Sequence, residues 1–352
     1  MKKFALPLAT ILSSALILGA CSSDTPQASS SESDGTNKVY EIKLSHSSPA
    51  TEDRLENSLQ EFKKKVEERT NGAIKITTFP ASQLGGEREQ LEGVQMGSIH
   101  MAALAGPLPS VYPEIMVIEM PYLFKNEEIA YEVLDGPVGQ EILDGMLEKT
   151  GIRALAWGEN GFRNFTNNKH PIKKPEDVKG LKIRTMENPA HMAMVVSLGG
   201  SPTPMAFGEV YSSLQQGVID GQENPVSLIE SMRFYEVNKY ATLDGHVYNP
   251  YAFIINESLY QSFPDEYKQI IQEEAKNWSD LQRKMNQEQV AKGIENLKGH
   301  GMQVETLTDE EKEAFRTATQ PVYDRFRNEL GVELMDKVLK AVEEAEAKMA
   351  KK

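Results

Sequence analysis

The most constraining feature of this sequence is a regular alternation of strand-like and helix-like segments that begins at Val39. The segment VYEIKLSH alternates apolar and polar residues, as a half-buried strand does, and ends at His46. RLENSLQEFKKKVEERTNG then places apolar residues at helical spacing, and Gly72 is a typical helix stop. The same order repeats in AIKITTF and GGEREQLEGVQMG. Strands that alternate with helices of this length predict parallel strand pairing and an α/β fold.

Two short segments indicate two similar α/β lobes rather than one large sheet. QMGSIHM at residues 95–101 and QQGVIDG at residues 215–221 share the order Gln, any residue, Gly, any residue, Ile. In both segments we expect a helix to end at the glycine and a short strand to follow it.

A long helix is predicted from Pro264 to Gly301, because this segment has no internal proline, begins with proline and ends with glycine. A helix of this length would extend roughly 50 Å, which is more than the width of one lobe. It should therefore either protrude or span both lobes. The C-terminal ELMDKVLKAVEEAEAKMAKK predicts a further amphipathic helix.

The N-terminus has the plan of a secretory signal. Lys2 and Lys3 precede an uncharged stretch that ends in LGAC, and Cys21 is the only cysteine. Disulfides and a cysteine-based zinc site are thereby excluded. LGAC resembles the lipobox of bacterial lipoproteins, in which the cysteine is acylated; the alternative is a chance cysteine after an ordinary signal peptide. We predict a lipoprotein signal peptide at 1–20, a flexible tether at 21–37, and a lipid anchor at the outer face of the membrane.

The charge and the motif inventory exclude several classes of function. A formal charge of −14 argues against nucleic acid and against a polybasic membrane surface. The sequence contains no HExxH, no GxSxG and no glycine-rich phosphate loop before Lys-Ser/Thr. No pair of histidines has metal-ligand spacing, and Glu87 and Glu119 are isolated carboxylates. We therefore expect no cofactor and no metal, and an enzyme is the weaker hypothesis.

Two arginines fall where a carboxylate could bind. We expect Arg163 in a polar loop after a strand that ends at Trp157, and Arg184 at the end of another strand. Asn188 and Pro189 have the pattern of a helix N-cap and first turn just beyond Arg184. Guanidinium groups beside a helix N-terminus can bind a carboxylate by two parallel hydrogen bonds. The alternative is that each arginine pairs with an internal acid such as Glu187.

The segment LQQGVIDGQENP predicts a third part of the same site. Gly217 can end a helix, and Val218 and Ile219 suit a short buried strand. The polar residues after them, up to Asn224, would then form a turn at a strand end, where open α/β sheets place ligands. The alternative is an ordinary polar turn.

Several of these segments resemble one known family. That family is the substrate-binding proteins of tripartite ATP-independent periplasmic (TRAP) transporters, of the dicarboxylate-binding type. The segments that resemble it are SHSSPATE, LGGEREQLEGVQMGSI, IEMPYLF, GFRNFTN, PEDVKGLKIRTMENPAHMAM and PTPMAFGEVYSSLQQGVIDGQENP. The resemblance implies a two-lobed fold like that of periplasmic binding proteins, with a ligand cleft between the lobes and a long helix spanning both. We expect residues 38–160 and 248–288 in one lobe, and 161–247 and 289–352 in the other.

The resemblance also implies which residues bind the ligand. It assigns a carboxylate clamp to Arg184, an assisting role to Arg163 and a ligand contact to Asn224. Glu87 and His46 would contact ligand hydroxyls. Phe207 would form a wall of the pocket, although an aromatic residue at helical spacing is more often core.

The predicted function is that of an extracytoplasmic receptor, expected to be monomeric. It would bind a C4-dicarboxylate or a sugar acid such as a uronate and deliver it to a TRAP membrane permease. One alternative is an extracytoplasmic enzyme that acts on organic acids with Glu87 or His46 as general base. The other is a receptor that signals to a membrane sensor.

Overall fold

The computed structural model describes residues 38–351, so the predicted signal peptide, Cys21 and the tether lie outside the described residues. Within this part of the chain there are nine strands: β1 Tyr40–Ser45, β2 Ile74–Phe79, β3 Met101–Leu104, β4 Ile152–Asn167, β5 Lys182–Thr185, β6 Ser201–Pro204, β7 Gly221–Pro225, β8 Tyr240–Asn256 and β9 Gln303–Thr306.

The strands form one mixed sheet in the order β2-β1-β3-β8-β4-β7-β5-β6, with β9 paired to β8. The outer pairs are parallel, as the alternating pattern predicts, and β9 is parallel to β8. By contrast, β4 and β8 are antiparallel to each other, β4 is antiparallel to β7, and β8 is antiparallel to β3. These two strands are long, with 16 and 17 residues, and run through both halves of the molecule. They join the two lobes into one continuous sheet, so the two lobes are present but the expectation that they exclude one large sheet is wrong.

Eleven α-helices surround the sheet in the described residues: α1 Arg54–Arg69, α2 Glu87–Met96, α3 Glu127–Leu134, α4 Pro137–Thr150, α5 Pro189–Ser197, α6 Val210–Gln215, α7 Val226–Ser231, α8 Glu257–Ser262, α9 Asp265–Gly299, α10 Asp309–Leu330 and α11 Val332–Met349. No helix in residues 38–351 combines the length and the apolar character that crossing a bilayer requires.

Helix α9 is the predicted long helix, and it spans both lobes. Near its middle Trp278 packs on Phe253 of β8, with ring centroids 4.6 Å apart. Near its end Leu297 is buried in a cluster with Val210 and Phe234, which belong to the other lobe. The residue boundaries of the lobes remain predictions.

Three sequence expectations about local structure near the site are wrong. Arg163 lies inside β4 rather than in a loop, because β4 continues from Ile152 to Asn167 through buried polar residues. The strand expected at Val218 and Ile219 is displaced: Val218 is exposed, and its N–H bonds to Ser213 O in the turn that follows α6.

The polar stretch that was expected to be a turn is strand β7. Its first residue, Gly221, approaches β4 so closely that an added Cβ would lie 2.1 Å from Thr166 O. Only glycine fits there, and the close approach brings the polar side chains of β7 beside those of β4.

Candidate functional site

A cleft with an empty volume of about 680 Å³ lies between the lobes. Its walls come from the ends of β1, β3, β5 and β6, the first turn of α2, and the middle of β4, β7 and β8. The lining includes the following side chains: Ser47, Ser48, Glu87, Arg88, Glu89, Asn160, Arg184, Met186, Glu187, Met205, Phe207, Asn224 and Tyr251. Four predicted site residues therefore meet in this cleft: Arg184, Asn224, Glu87 and Phe207.

Arg184, the third residue of β5, is a buried cation in this cleft, with 3% of its surface exposed. Its Nε and Nη2 donate to Met205 O, over 3.2 and 2.7 Å. Its Nη1 is buried and has no partner among the described residues. Burial, together with the charge of Arg163, lowers the pKa of Arg184 to about 10. A buried guanidinium with a free N–H edge can bind a carboxylate.

The helix N-terminus predicted beside Arg184 is present. Asn188 caps α5, and its side chain accepts the backbone N–H groups of Ala190 and His191. Pro189 is the first residue of the helix. Local sequence therefore fixes the backbone that follows β5.

Arg163 does not line the cleft. Its side chain is fully buried and forms an ion pair with Glu223 of β7, with Nη2 2.8 Å from Oε1, and its Nη1 donates to Asn249 Oδ1. The alternative of pairing with an internal acid thus holds for Arg163, but the acid is Glu223. Glu187 pairs with Arg88 instead.

Glu223 connects Arg163 to a buried histidine. His246 Nε2 lies 3.3 Å from Glu223 Oε2, and its Nδ1 lies 2.9 Å from Asp244 Oδ2. Burial opposes the charge of His246, but the two carboxylates prevail and raise its pKa to about 9. Burial likewise opposes ionisation of Glu223, yet Arg163 and His246 hold the pKa of that carboxyl well below its usual range. The network is charged and rigidly hydrogen-bonded.

Glu87 begins α2 and faces the cleft. Its Oε2 accepts N–H groups of the segment after β3, from Gly106 at 2.8 Å and Ala105 at 3.4 Å. Burial raises its pKa, although these donors and Arg184 favour the ionised form. On the opposite wall Asn224 is oriented by a hydrogen bond from its amide to Gln222 Oε1.

His46 and Phe207 differ in their placement. His46 is buried outside the cleft lining, and its Nε2 lies 2.7 Å from Glu56 Oε2. Phe207 is half-buried, lines the cleft, and has its ring centre 5.9 Å from Arg184 Cζ.

Several polar residues of the cleft were not predicted from the sequence, among them Ser48, Asn160 and Tyr251. Ser48 Oγ lies 3.3 Å from the hydroxyl of Tyr251 in β8. Asn160 in β4 accepts a hydrogen bond from Arg54 at 3.0 Å. Tyr251 has no local sequence signal, because it lies within a continuous strand whose neighbours are core residues. Asn160 could have been predicted as a site residue, because it is a polar residue inside a buried strand.

This cleft, between two α/β lobes that share crossing strands, defines the chain as a two-lobed solute-binding protein. Residues 44–329 match the family model described as bacterial extracellular solute-binding protein, family 7. The chain belongs to this family.

Individual relatives agree with this assignment. A solute-binding protein of Verminephrobacter eiseniae (strain EF01-2) is 42% identical over 285 residues, which cover 81% of this chain and 84% of the relative. The TRAP periplasmic solute-binding protein of Polaromonas sp. JS666, solved with D-erythronate, has a TM-score of 0.82 and 38% identity over 85% of this chain and 98% of its own. The sugar acid-binding protein of Advenella mimigardefordensis, solved with galactonate, has a TM-score of 0.85 and 32% identity over 88% and 99%.

Proposed function

We propose that this chain is an extracytoplasmic receptor that binds a small organic acid, a C4-dicarboxylate or a sugar acid, and delivers it to a TRAP-type membrane permease. The observation that carries the proposal is Arg184, a buried guanidinium whose Nη1 has no partner in the described residues and which lines the interlobe cleft. Burying a cation is costly unless an anion compensates it, so the cleft is built to receive one. The acids bound to the two solved relatives support the ligand class.

Within this proposal Arg184 clamps a ligand carboxylate, and Asn224 adds an amide contact from the facing wall. Arg163 acts behind the cleft: its ion pair with Glu223 fixes β4 against β7, and β7 carries Asn224. Phe207 closes one side of the cleft. His46 has a structural contact to Glu56 and takes no part in this arrangement.

A ligand screen tests the proposal. The purified chain without its signal segment is heated with D-erythronate, D-galactonate, D-glucuronate or succinate, and each acid that raises the melting temperature is titrated by calorimetry. We expect saturable binding of at least one acid, and loss of that binding in Arg184→Ala. Failure of all organic acids to bind would contradict the proposal.

The same ligands distinguish a receptor from the two alternatives. We propose that the chain is not an enzyme, so a bound acid should be recovered chemically unchanged, as judged by NMR after prolonged incubation. Vesicles that contain the permease should accumulate the acid only when the receptor is added. Chemical turnover of the bound acid would favour the enzyme. Binding of the acid without any uptake would favour the sensor.

We also propose that Cys21 is acylated and holds the receptor at the outer face of the cell membrane. The support is the LGAC segment and the small polar residues that follow it.

A further inference from the structure

The cationic side chains that line the cleft differ in whether they are free to bind a ligand carboxylate. Among the described lining residues the cationic side chains are Arg88 and Arg184. Arg88 is half-exposed and already paired, with Nη2 2.7 Å from Glu187 Oε2. Of these two cations, Arg184 is the one with a buried N–H group, at Nη1, that has no partner within residues 38–351. The cleft therefore offers strong electrostatic compensation for one carboxylate.

Glu87 is a half-buried acidic side chain of the same cleft, and no cation of residues 38–351 forms an ion pair with it. Glu87 has backbone N–H groups as its hydrogen-bond partners, and both go to Oε2. Its second oxygen, Oε1, accepts no hydrogen bond from residues 38–351 and can accept one from a ligand. A carboxylate oxygen in such a position binds a hydroxyl group well and repels another carboxylate.

Apart from the exposed Glu89, the remaining polar side chains of the cleft are neutral hydroxyls and amides. Ser47 Oγ accepts a hydrogen bond from Gln90 Nε2 over 3.1 Å, so its own proton is available to a ligand. Ser48 and Tyr251 form a hydroxyl pair, and Asn160 lies between Arg54 and Asn249. Neutral donors and acceptors of this kind match ligand hydroxyl groups, which both donate and accept.

From this inventory we infer that the cleft selects a monocarboxylate that carries several hydroxyl groups, an aldonate or a uronate, over a C4-dicarboxylate, and that Glu87 excludes the second carboxylate. The inference rests on the proposed function. A hydroxyl of the ligand donates to Glu87, whereas a second carboxylate there would meet a like charge in a poorly solvated cleft. Like-charge contact is an effective means of rejecting the wrong ligand.

Calorimetry with two ligand classes tests this inference. D-erythronate, D-galactonate and D-glucuronate are titrated against the wild-type chain, and the tightest of them is compared with succinate. We expect that acid to bind at least about tenfold more tightly than succinate. In Glu87→Gln we expect this ratio to shrink by about tenfold or more, because the amide no longer repels a carboxylate and accepts a hydroxyl less strongly.

Glu92→Gln is the matched control. Glu92 is on the same helix and is exposed, but it does not line the cleft, so its replacement should leave the ratio unchanged. The melting temperature of each variant without ligand verifies that it is folded.

Three outcomes would overturn the inference. Wild-type protein that binds succinate as tightly as the best hydroxy acid would contradict the substrate class. An unchanged ratio in Glu87→Gln would remove Glu87 as the selective residue, even if the class is correct. Absence of binding for every acid, in the wild type and in Arg184→Ala alike, would overturn the proposed function and this inference with it.

Discussion

Arg88 and Glu187 form an ion pair across the mouth of the cleft, with Arg88 Nη2 2.7 Å from Glu187 Oε2. Arg88 lies in α2 of one lobe, and Glu187 lies between β5 and α5 of the other. The walls also approach each other beside this pair, since an added Cβ on Gly86 would lie 3.6 Å from Ala206 Cβ. The lobes therefore touch at the entrance and restrict exchange of ligand with solvent.

Arg88→Ala should accelerate ligand release. The two side chains are 48% and 38% exposed, so their contribution to the closed form should be about 0.2–1 kcal/mol, which is a rise of about 1.4- to 5-fold in the dissociation rate. Stopped-flow measurements would check this, and the difference from wild type should shrink in high salt. Arg325→Ala removes a comparable surface pair in α10 and should change nothing. Equal release rates for Arg88→Ala and wild type at low salt would show that the Arg88–Glu187 pair does not slow ligand release.

Arg184→Ala should abolish tight binding. The ligand carboxylate would lose its buried partner, which costs about 3–5 kcal/mol, and affinity should fall by roughly two to four decades. Arg184→Lys should also bind poorly, because one ammonium cannot replace the planar fork. Asn224→Ala removes a neutral contact and should cost about 1–3 kcal/mol. Calorimetry on folded variants decides; affinity of Arg184→Ala within a few-fold of wild type would show that another residue is the clamp.

Glu223→Gln should destabilise the fold even without ligand. It leaves the fully buried Arg163 without its counter-charge, and breaking one side of a buried ion pair costs about 3–5 kcal/mol. Urea unfolding followed by circular dichroism would measure this loss. Glu329→Gln, which breaks an exposed pair with Arg325, serves as control and should cost less than about 1 kcal/mol. Similar losses in the two variants would mean that the buried pair has no special weight.

His246 should make the free energy of unfolding depend on pH. Its folded pKa of about 9 lies above the ordinary value of 6.5, so protonation favours the folded state. This contribution is complete below pH 6.5, is lost as pH rises through 9, and amounts to about 3 kcal/mol. The free energy of unfolding, measured by urea denaturation at several pH values across this range, should depend less on pH in His246→Gln than in wild type. The exposed His170→Gln should keep the wild-type slope; a parallel slope in His246→Gln would contradict the assignment.

Cys21→Ser should release the protein from the membrane without altering ligand affinity. The acyl chains would be absent, whereas the cleft lies in residues that the substitution does not touch. Fractionation of cells and mass spectrometry of the membrane-bound form would measure this. Finding wild-type protein soluble and unacylated would remove the anchor.

The sequence predicted those parts of the site that local chemistry determines. The Asn188 cap and Pro189 are fixed by neighbouring residues, so the backbone after Arg184 could be foreseen. The strand that carries Arg163 could not be foreseen, because the polar residues around Arg163 suggested a loop. They lie in a strand because Glu223 and Asn249, which are 60 and 86 residues away along the chain, satisfy them in the interior.

The contact between Ser48 and Tyr251 was beyond sequence reasoning for a similar reason. The two residues are 203 positions apart and meet because β8 returns across the sheet to the end of β1. Ser48 lies near the predicted site residue His46, but nothing in the sequence around Tyr251 marks that residue as its partner. Contacts of this kind follow from topology, which the periodicity of single segments does not specify.

The two crossing strands determine the mechanics of the receptor. The β4–β8 ladder is interrupted by register shifts between Ala154 and Ala156, between Glu159 and Gly161, and between Arg163 and Phe165. A ribbon with such bulges bends most easily where its hydrogen bonds are interrupted. Because both strands are continuous between the lobes, any opening of the cleft would have to bend this ribbon, so we expect the hinge of the receptor to be a pair of strands rather than a loop.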